Sequence, residues 1–309
     1  MKIGNINFAQ PFVSLAPLAG YGDVAFRRIC RDYGASLTVT EMVSVKGLVY
    51  GNEKTECLLR LAPNETPSCV QLFGSEPEYF GKALALPELD KFDIIDINMG
   101  CPVPKVTKCG EGSALMRDEG RASEIVAACV ACAKGRPVTV KHRLGISERS
   151  INAVSFAEKM QEAGAAAITV HGRTTAQGYS GVADWDKIAD VARAVSIPVI
   201  GNGDVTDLCG IERAVKAGCS GVALGRGALG KPYVFAGEKK GPLLNVILKH
   251  LGYALEYFPE AVAVRTMRKH LCKYLAGVRG TKELRMQINA ISDAETLVGA
   301  LKKGLSEEC

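Results

Sequence analysis

The run Asp96-Ile97-Asn98-Met99-Gly100-Cys101-Pro102 ends an apolar stretch with a carboxylate, an amide and a thiol. Gly100 and Pro102 break regular structure, so Cys101 is predicted on a turn at a strand end. A packing cysteine fills space inside a helix or strand. A thiol on a bend can be a nucleophile, a general acid or a metal ligand. No second Cys or His stands nearby at ligand spacing, so no metal is expected. With a reference pKa of ~8.5 the thiol is mostly protonated at neutral pH and can donate a proton. Cys109, in the following loop, is the rival thiol.

Two further stretches, IGNGD and ALGRGALG, carry phosphate-type chemistry. Gly201, Gly203, Gly225 and Gly227 let the backbone approach an anion closely, and Arg226 adds charge. Plain turn chemistry would explain either loop alone; two such loops with an Arg favour a phosphate. Lys141 and His171 each end an apolar run, where a cation and a hydrogen-bond donor suit an anionic cofactor. Gln71 offers a bidentate amide for the edge of a heterocycle.

Positioning these groups requires a scaffold. Eight short β-branched or apolar runs start at Val13, Ser36, Cys69, Asp93, Pro137, Ala166, Ile197 and Ser220. Helix-like segments such as RASEIVAACVACAKG separate them, and several end in Gly, a common helix stop. This rhythm predicts a (β/α)8 TIM barrel. A doubly wound sheet is the runner-up, but no GxGxxG follows the first strand. A barrel collects function at the C-terminal strand ends. There the sequence places Pro17, Glu41, Gln71, Asn98, Cys101, Lys141, Arg143, His171, Arg173, Asn202, Asp204 and Arg226. Asp96 would orient the Cys101 loop or face the barrel core. His142 should point the other way along its strand. After KPYVF the pattern changes to amphipathic helices. The expected division is a barrel over residues 1–240 and a small helical domain over 241–309.

The chain has 309 residues, 47% hydrophobic and 23% charged, an ordinary globular composition. No apolar run reaches ~18 residues, so no membrane span is expected. The N-terminus lacks the pattern of an export signal. Eleven scattered cysteines without a framework argue for reduced thiols and a cytoplasmic location. Cys129 and Cys132 form a CxxC inside a helical segment, which reads as helix packing. A net charge of +5 is a mild bias. It concentrates between Ala261 and Arg285, where Arg265, Arg268, Lys269, Lys273, Arg279, Lys282 and Arg285 face one acid, Glu283. On a helix these form a basic stripe suited to RNA phosphates, against the blander reading of a solvated face.

DINMGCPVPKVTKCGEGSALMRD resembles the signature of the tRNA-dihydrouridine synthases, most closely their bacterial B-type branch. APLAGYGDVAFRRICRDYGA, VTVKHRLG, ITVHGRT, PVIGNGDV, GRGALGKPYVF and AVRTMRKHLCKYLAG are similar to other segments of that family. The resemblance implies an FMN-bound barrel and a helical tRNA-binding domain, with NADPH (or NADH) as electron source. Pro17, Leu18, Ala19, Gln71, Lys141, His171, Asn202, Gly203, Asp204, Gly225 and Arg226 match FMN-binding positions. Cys101 matches the proton donor and Asn98 a residue near flavin and base. Arg143 and Arg173 match active-site positions. Arg268, Lys269 and His270 are expected to contact tRNA. The implied reaction sends hydride from flavin N5 to uracil C6 and a proton from Cys101 to C5, on a base extruded from its stack. A monomer is expected. His142, the loop ISERSIN and the short C-terminal part depart from the family pattern. Two other readings are a flavin reductase of a free pyrimidine or small enone, and a non-catalytic RNA-binding module.

Overall fold

β-branched side chains pack well on a pleated surface, and successive residues face opposite ways. The segment Ile94–Met99 shows the consequence. Ile94 and Asp96 point into a barrel, whereas Ile95, Ile97 and Met99 pack outward against helices. The computed structural model describes residues 1–237 and 241–305. Its barrel strands are β1 (Val13–Leu15), β2 (Leu37–Ser44), β3 (Cys69–Phe73), β4 (Ile94–Met99), β5 (Val138–His142), β6 (Ala167–His171), β7 (Val199–Asn202) and β8 (Gly221–Leu224). All pair in parallel in chain order, and β8 closes on β1. The fold is a (β/α)8 barrel.

A short hairpin, Lys2–Ile3 with Ile6–Asn7, precedes the barrel. Ile3, Phe8 and Phe12 join Leu37, Ile94, Ala167 and Ile200 in an apolar plug. Filling this end leaves the opposite mouth as the place for a cavity. A register shift between Val39 and Met42 sets Met42 opposite Gln71. Such a bulge re-aims side chains near a site, and Met42 faces the mouth. His142 points outward against the Phe156 ring at 5.2 Å. Burial holds its imidazole down at about 4, so it is a neutral packing residue. In the helix Glu119–Cys132, Cys129 is in the core and Cys132 is exposed. Among the described residues no helix is long and apolar enough to cross a membrane.

The C-terminal helices dock on the first barrel helix, α1 (Val24–Asp32). Phe26, Ile29 and Cys30 of α1 share one core with Val246, Ile247 and Leu251 of α2 (Leu243–Tyr257) and Val264, Met267 and Leu271 of α3 (Glu260–Tyr274). Leu297, Leu301 and Leu305 of α4 (Ala294–Leu305) complete it. Each fully buried side chain of this size contributes ~1.5–3 kcal/mol. The expected boundary at residue 240 lies outside the described residues.

Asp23 ties the two parts together. One carboxylate oxygen caps α1 by accepting from Phe26 N at 3.0 Å. The other lies 3.4 Å from His270 Nε2 and 3.6 Å from Lys269 Nζ. His250 stands beside His270, ring centroids 4.6 Å apart, and its Nδ1 meets the Tyr274 hydroxyl at 3.1 Å. Burial lowers both imidazoles, and with the charge of His270 it takes His250 down to about 3.

Acid lability follows. In the unfolded chain each imidazole takes a proton near ~6.5. The native pKa is depressed, so the stability is fully present above that value and is lost as pH falls toward about 3 for His250. The slope is at most ~1.4 kcal/mol per pH unit for each group. Urea unfolding at about pH 7 and about pH 5 should show the loss, and His250→Phe should flatten it. An equal slope in that variant would refute the assignment.

Candidate active site

The residues at the strand ends enclose one cavity of about 590 Å³, within the range that holds a drug-sized ligand. After β1, Pro17, Leu18 and Ala19 form one wall. Gln71 lies midway along β3, Asn98 next to the last residue of β4, and Lys141 and Arg143 flank His142 at the end of β5. His171, Asn202, Gly203, Asp204, Gly225 and Arg226 complete the ring. These side chains are far apart in the chain and meet because parallel closure puts every strand's C-terminal end on one face.

Charge in the cavity is positive. Burial, with Arg143 beside it, lowers the Lys141 ammonium to about 8, so it stays charged at neutral pH. Burial and then Lys141, Arg143, Arg173 and Arg226 push His171 well below its ordinary value, so its ring is neutral. The Arg173 guanidinium, which only donates, lies 3.4 Å from His171 Nε2. That nitrogen accepts, which leaves Nδ1–H as the ring's donor. Among the described residues, no turn or loop carbonyl takes the backbone N–H groups of Asp204, Gly225 and Arg226. Gly203 has φ +133°, and a Cβ there would meet the Ala183 Cβ at 2.6 Å. Only glycine allows this backbone to come so close. An amide edge, a buried cation, a neutral donor and free backbone donors beside Arg226 fit FMN.

The Cys101 loop is held from three sides. Asn98 Oδ1 accepts from Gly100 N at 3.2 Å and Cys101 N at 2.9 Å. Arg143 Nε donates to the Gly100 carbonyl at 2.7 Å. Ser113 N donates to the Cys101 carbonyl at 3.0 Å, and Gly112, with φ +60°, packs where a Cβ would sit 2.8 Å from that oxygen. Burial raises the Cys101 pKa despite the Val103 N–H, Arg143 and Lys141, so the thiol keeps its proton. Cys109 is exposed and does not line the cavity.

Four expected substrate contacts sit elsewhere. Arg173 is buried and outside the cavity lining; it donates to both Asp204 oxygens, at 2.8 and 2.6 Å, and to the Ser180 and Gly181 carbonyls. It braces the loop after β7 against the Ser180–Gly181 turn instead of facing the cavity. His270 is fully buried against Asp23, which corrects its expected contact with tRNA. Lys269 pairs with Asp23, and Arg268 donates to the Ile291 carbonyl at 2.9 Å. The exposed cations of the basic segment are Arg265, Lys273, Arg279, Lys282 and Arg285. Of these Lys273 also lines the cavity mouth. Tyr179 was missed. Its ring is 57% exposed at the rim, 4.6 Å under the Arg226 guanidinium. An aromatic inside the polar, Gly-containing loop TTAQGYSG is the signal that could have found it.

The fold and mouth define a (β/α)8 barrel suited to a phosphorylated heterocycle beside a protonated thiol. The family model for dihydrouridine synthase (Dus) matches residues 14–308. A probable tRNA-dihydrouridine synthase of Rickettsia bellii is 38% identical over 309 residues, covering 95% of this chain and 94% of that one. tRNA-dihydrouridine synthase B of Pseudomonas syringae pv. tomato is 35% identical, covering 96% and 91%. Among solved structures, TcOYE with pHBA aligns with a TM-score of 0.55 at 11% identity, covering 76% of this chain and 90% of that one. Morphinone reductase aligns with a TM-score of 0.55 at 10% identity, covering 76% and 87%. These two likenesses concern the fold alone. The chain belongs to the dihydrouridine synthase family and is an enzyme of that class.

Proposed function

We propose that this protein reduces the 5,6 double bond of specific uridines in tRNA, using FMN and a reduced nicotinamide, with Cys101 giving the proton to C5. The observation that carries this reading is the single cavity shared by a protonated Cys101 and a donor set for a phosphorylated flavin. The relatives' names, tRNA-dihydrouridine synthase, support the substrate.

FMN, when bound, supplies the hydride to C6 of the base. Lys141, Gln71 and the His171 Nδ1–H would hold its ring. The backbone of Gly203 to Asp204 and of Gly225 to Arg226 would hold its phosphate, as free N–H groups do for anions. Asn98 and Arg143 would steady the uracil, and the Cys101 thiol delivers its proton where charge develops. Base access requires extrusion from the stack. Lys273 and the exposed cations beyond it on the helices from residue 241 would take phosphates of the tRNA that lies across the mouth.

A single-turnover experiment tests this. The protein is reduced with NADPH without oxygen, then mixed with tRNA lacking dihydrouridine. Flavin reoxidation with a gain of about 2 Da at one uridine is expected. Reoxidation by a small enone but not by tRNA would reject the substrate, and failure to bind flavin would reject the reading.

Lys141 gives the cofactor site a pH signature. Its pKa in the free protein is depressed to about 8, so its charge is present below that pH and lost above it. FMN affinity should therefore hold on the acid side and decline above about 8. Lys141→Met should weaken binding by ~10- to 100-fold and abolish the decline. Fluorescence titration at fixed ionic strength reads both. A variant that keeps the decline would show that another group titrates.

A further inference from the structure

The carboxylate of Asp96 lies below the cavity, 5% exposed, and its hydrogen bonds go to Thr139 and Gln71, not to the thiol or its loop. An ionised carboxylate only accepts hydrogen bonds. Its Oδ1 accepts from Thr139 Oγ1 at 2.6 Å and its Oδ2 from Gln71 Nε2 at 2.6 Å. That fixes which end of the Gln71 amide faces down. Gln71 Oε1 must then face Asn98, and it accepts from Asn98 Nδ2 at 2.8 Å. Asn98 Oδ1 is left free to accept from the amides of Gly100 and Cys101. Turning either amide over would set donor against donor. The relay is built into the sheet, because Gln71, Asp96 and Thr139 are register partners on β3, β4 and β5.

We propose that Asp96 is a positioning residue for proton delivery, acting through Gln71 and Asn98 to hold the Cys101 loop in its donating geometry. This rests on the reading of Cys101 as the proton donor. Burial raises the Asp96 carboxyl to about 6, with Thr139, Gln71 and Lys141 opposing, so at neutral pH it is ionised and acceptor-only. A carboxylate that served only as a satisfied polar filler would stabilise the barrel without governing the loop.

The test compares the full-length, flavin-loaded wild type with Asp96→Ala and Asp96→Asn. Alkylation of Cys101 by iodoacetamide is followed by peptide mass spectrometry, with exposed Cys109 as internal reference. Amide exchange is read on the peptide spanning Gly100 and Cys101. In Asp96→Ala, Cys101 should react about tenfold faster and the peptide should lose protection, while Cys109 is unchanged. Turnover of tRNA should slow by about 10- to 100-fold, with flavin content and reduction by NADPH intact. Asn at this position can accept from Gln71 and donate to the Thr139 hydroxyl, so Asp96→Asn should restore both readouts. Wild-type alkylation and protection in Asp96→Ala would overturn the proposal, as would an Asn variant as impaired as the Ala variant. If Asp96→Ala does not fold, Gln71→Leu cuts the next link; because it also removes a group proposed to hold the flavin, it is read by Cys101 alkylation and amide exchange alone, against wild type stripped of flavin, unchanged Cys101 reactivity again counting against the proposal. Absence of tRNA reduction by the wild type would reject the proposed function, while alkylation and exchange still judge the relay.

Discussion

Cys101→Ala should lower the rate of dihydrouridine formation by about 10²–10⁴-fold, the range lost with a positioned general acid. Flavin content and reduction by NADPH should stay at the wild-type level, because the groups proposed to hold the flavin are Gln71, Lys141, His171 and the loops after β7 and β8, not the thiol. The thiol is suited to its task by its surroundings. Half-buried beside Pro102 and Val103, it is raised above its ordinary pKa and stays protonated at neutral pH. With flavin kept saturating, the rate should therefore be level through neutral pH and fall where the raised thiol ionises. Cys101→Ser should be slow as well, since a hydroxyl is a much weaker acid. Single-turnover reoxidation by tRNA is the measurement. Full activity in Cys101→Ala would remove the thiol from the chemistry.

Glu65→Ala should cost about 3–5 kcal/mol of folding free energy, the largest stability effect expected in this chain. Glu65 and Arg27 are 4% and 1% exposed. The carboxylate accepts from Arg27 Nε at 2.7 Å, Thr38 Oγ1 at 2.7 Å and Ala62 N at 2.8 Å. Arg27 also donates to the carbonyls of Gly22 and Arg60, at 2.8 and 2.6 Å. Removing the carboxylate leaves a buried guanidinium without its counter-charge, which is why the loss exceeds that of a surface pair. Gly22 closes the segment that begins at Pro17, so the pair also steadies one wall of the cavity. Replacing both partners, Arg27→Met with Glu65→Leu, should recover part of the loss. Equilibrium unfolding in guanidinium gives both values. A Glu65→Ala loss under about 1 kcal/mol would mean that the site rehydrates like a surface pair.

Much of the scaffold was readable because its signals are local. Seven of the barrel strands fall within a β-branched or apolar run bounded by Gly, Pro or polar residues, β2 continues two residues past its run to Ser44, and Cys101 sits on the bend that Gly100 and Pro102 announce. The hairpin at Lys2–Asn7 was not, since two-residue strands carry no periodicity. His270 was misread because its neighbours in the sequence do not tell it apart from Arg265. Both lie in one basic run, and only the docking of α3 on α1 turns one inward and leaves the other in solvent. Arg173 resembled a ligand-facing cation at a strand end, but the Asp204 carboxylate drew it out of the cavity.

The sequence by itself determined the alternation of strands and helices and the placing of chemistry at strand ends. Those features follow from side-chain period and turn residues, which act over a few positions. The tertiary structure alone decided which amide faces which, which histidines are neutral, and that burial raises the Cys101 thiol further above its ordinary pKa. Gln71 meets Asp96 across two strands, and Asp23 meets His270 across two parts of the chain. Polarity and protonation in such places are set by desolvation and by charges brought close only on folding, and no short window of residues contains them.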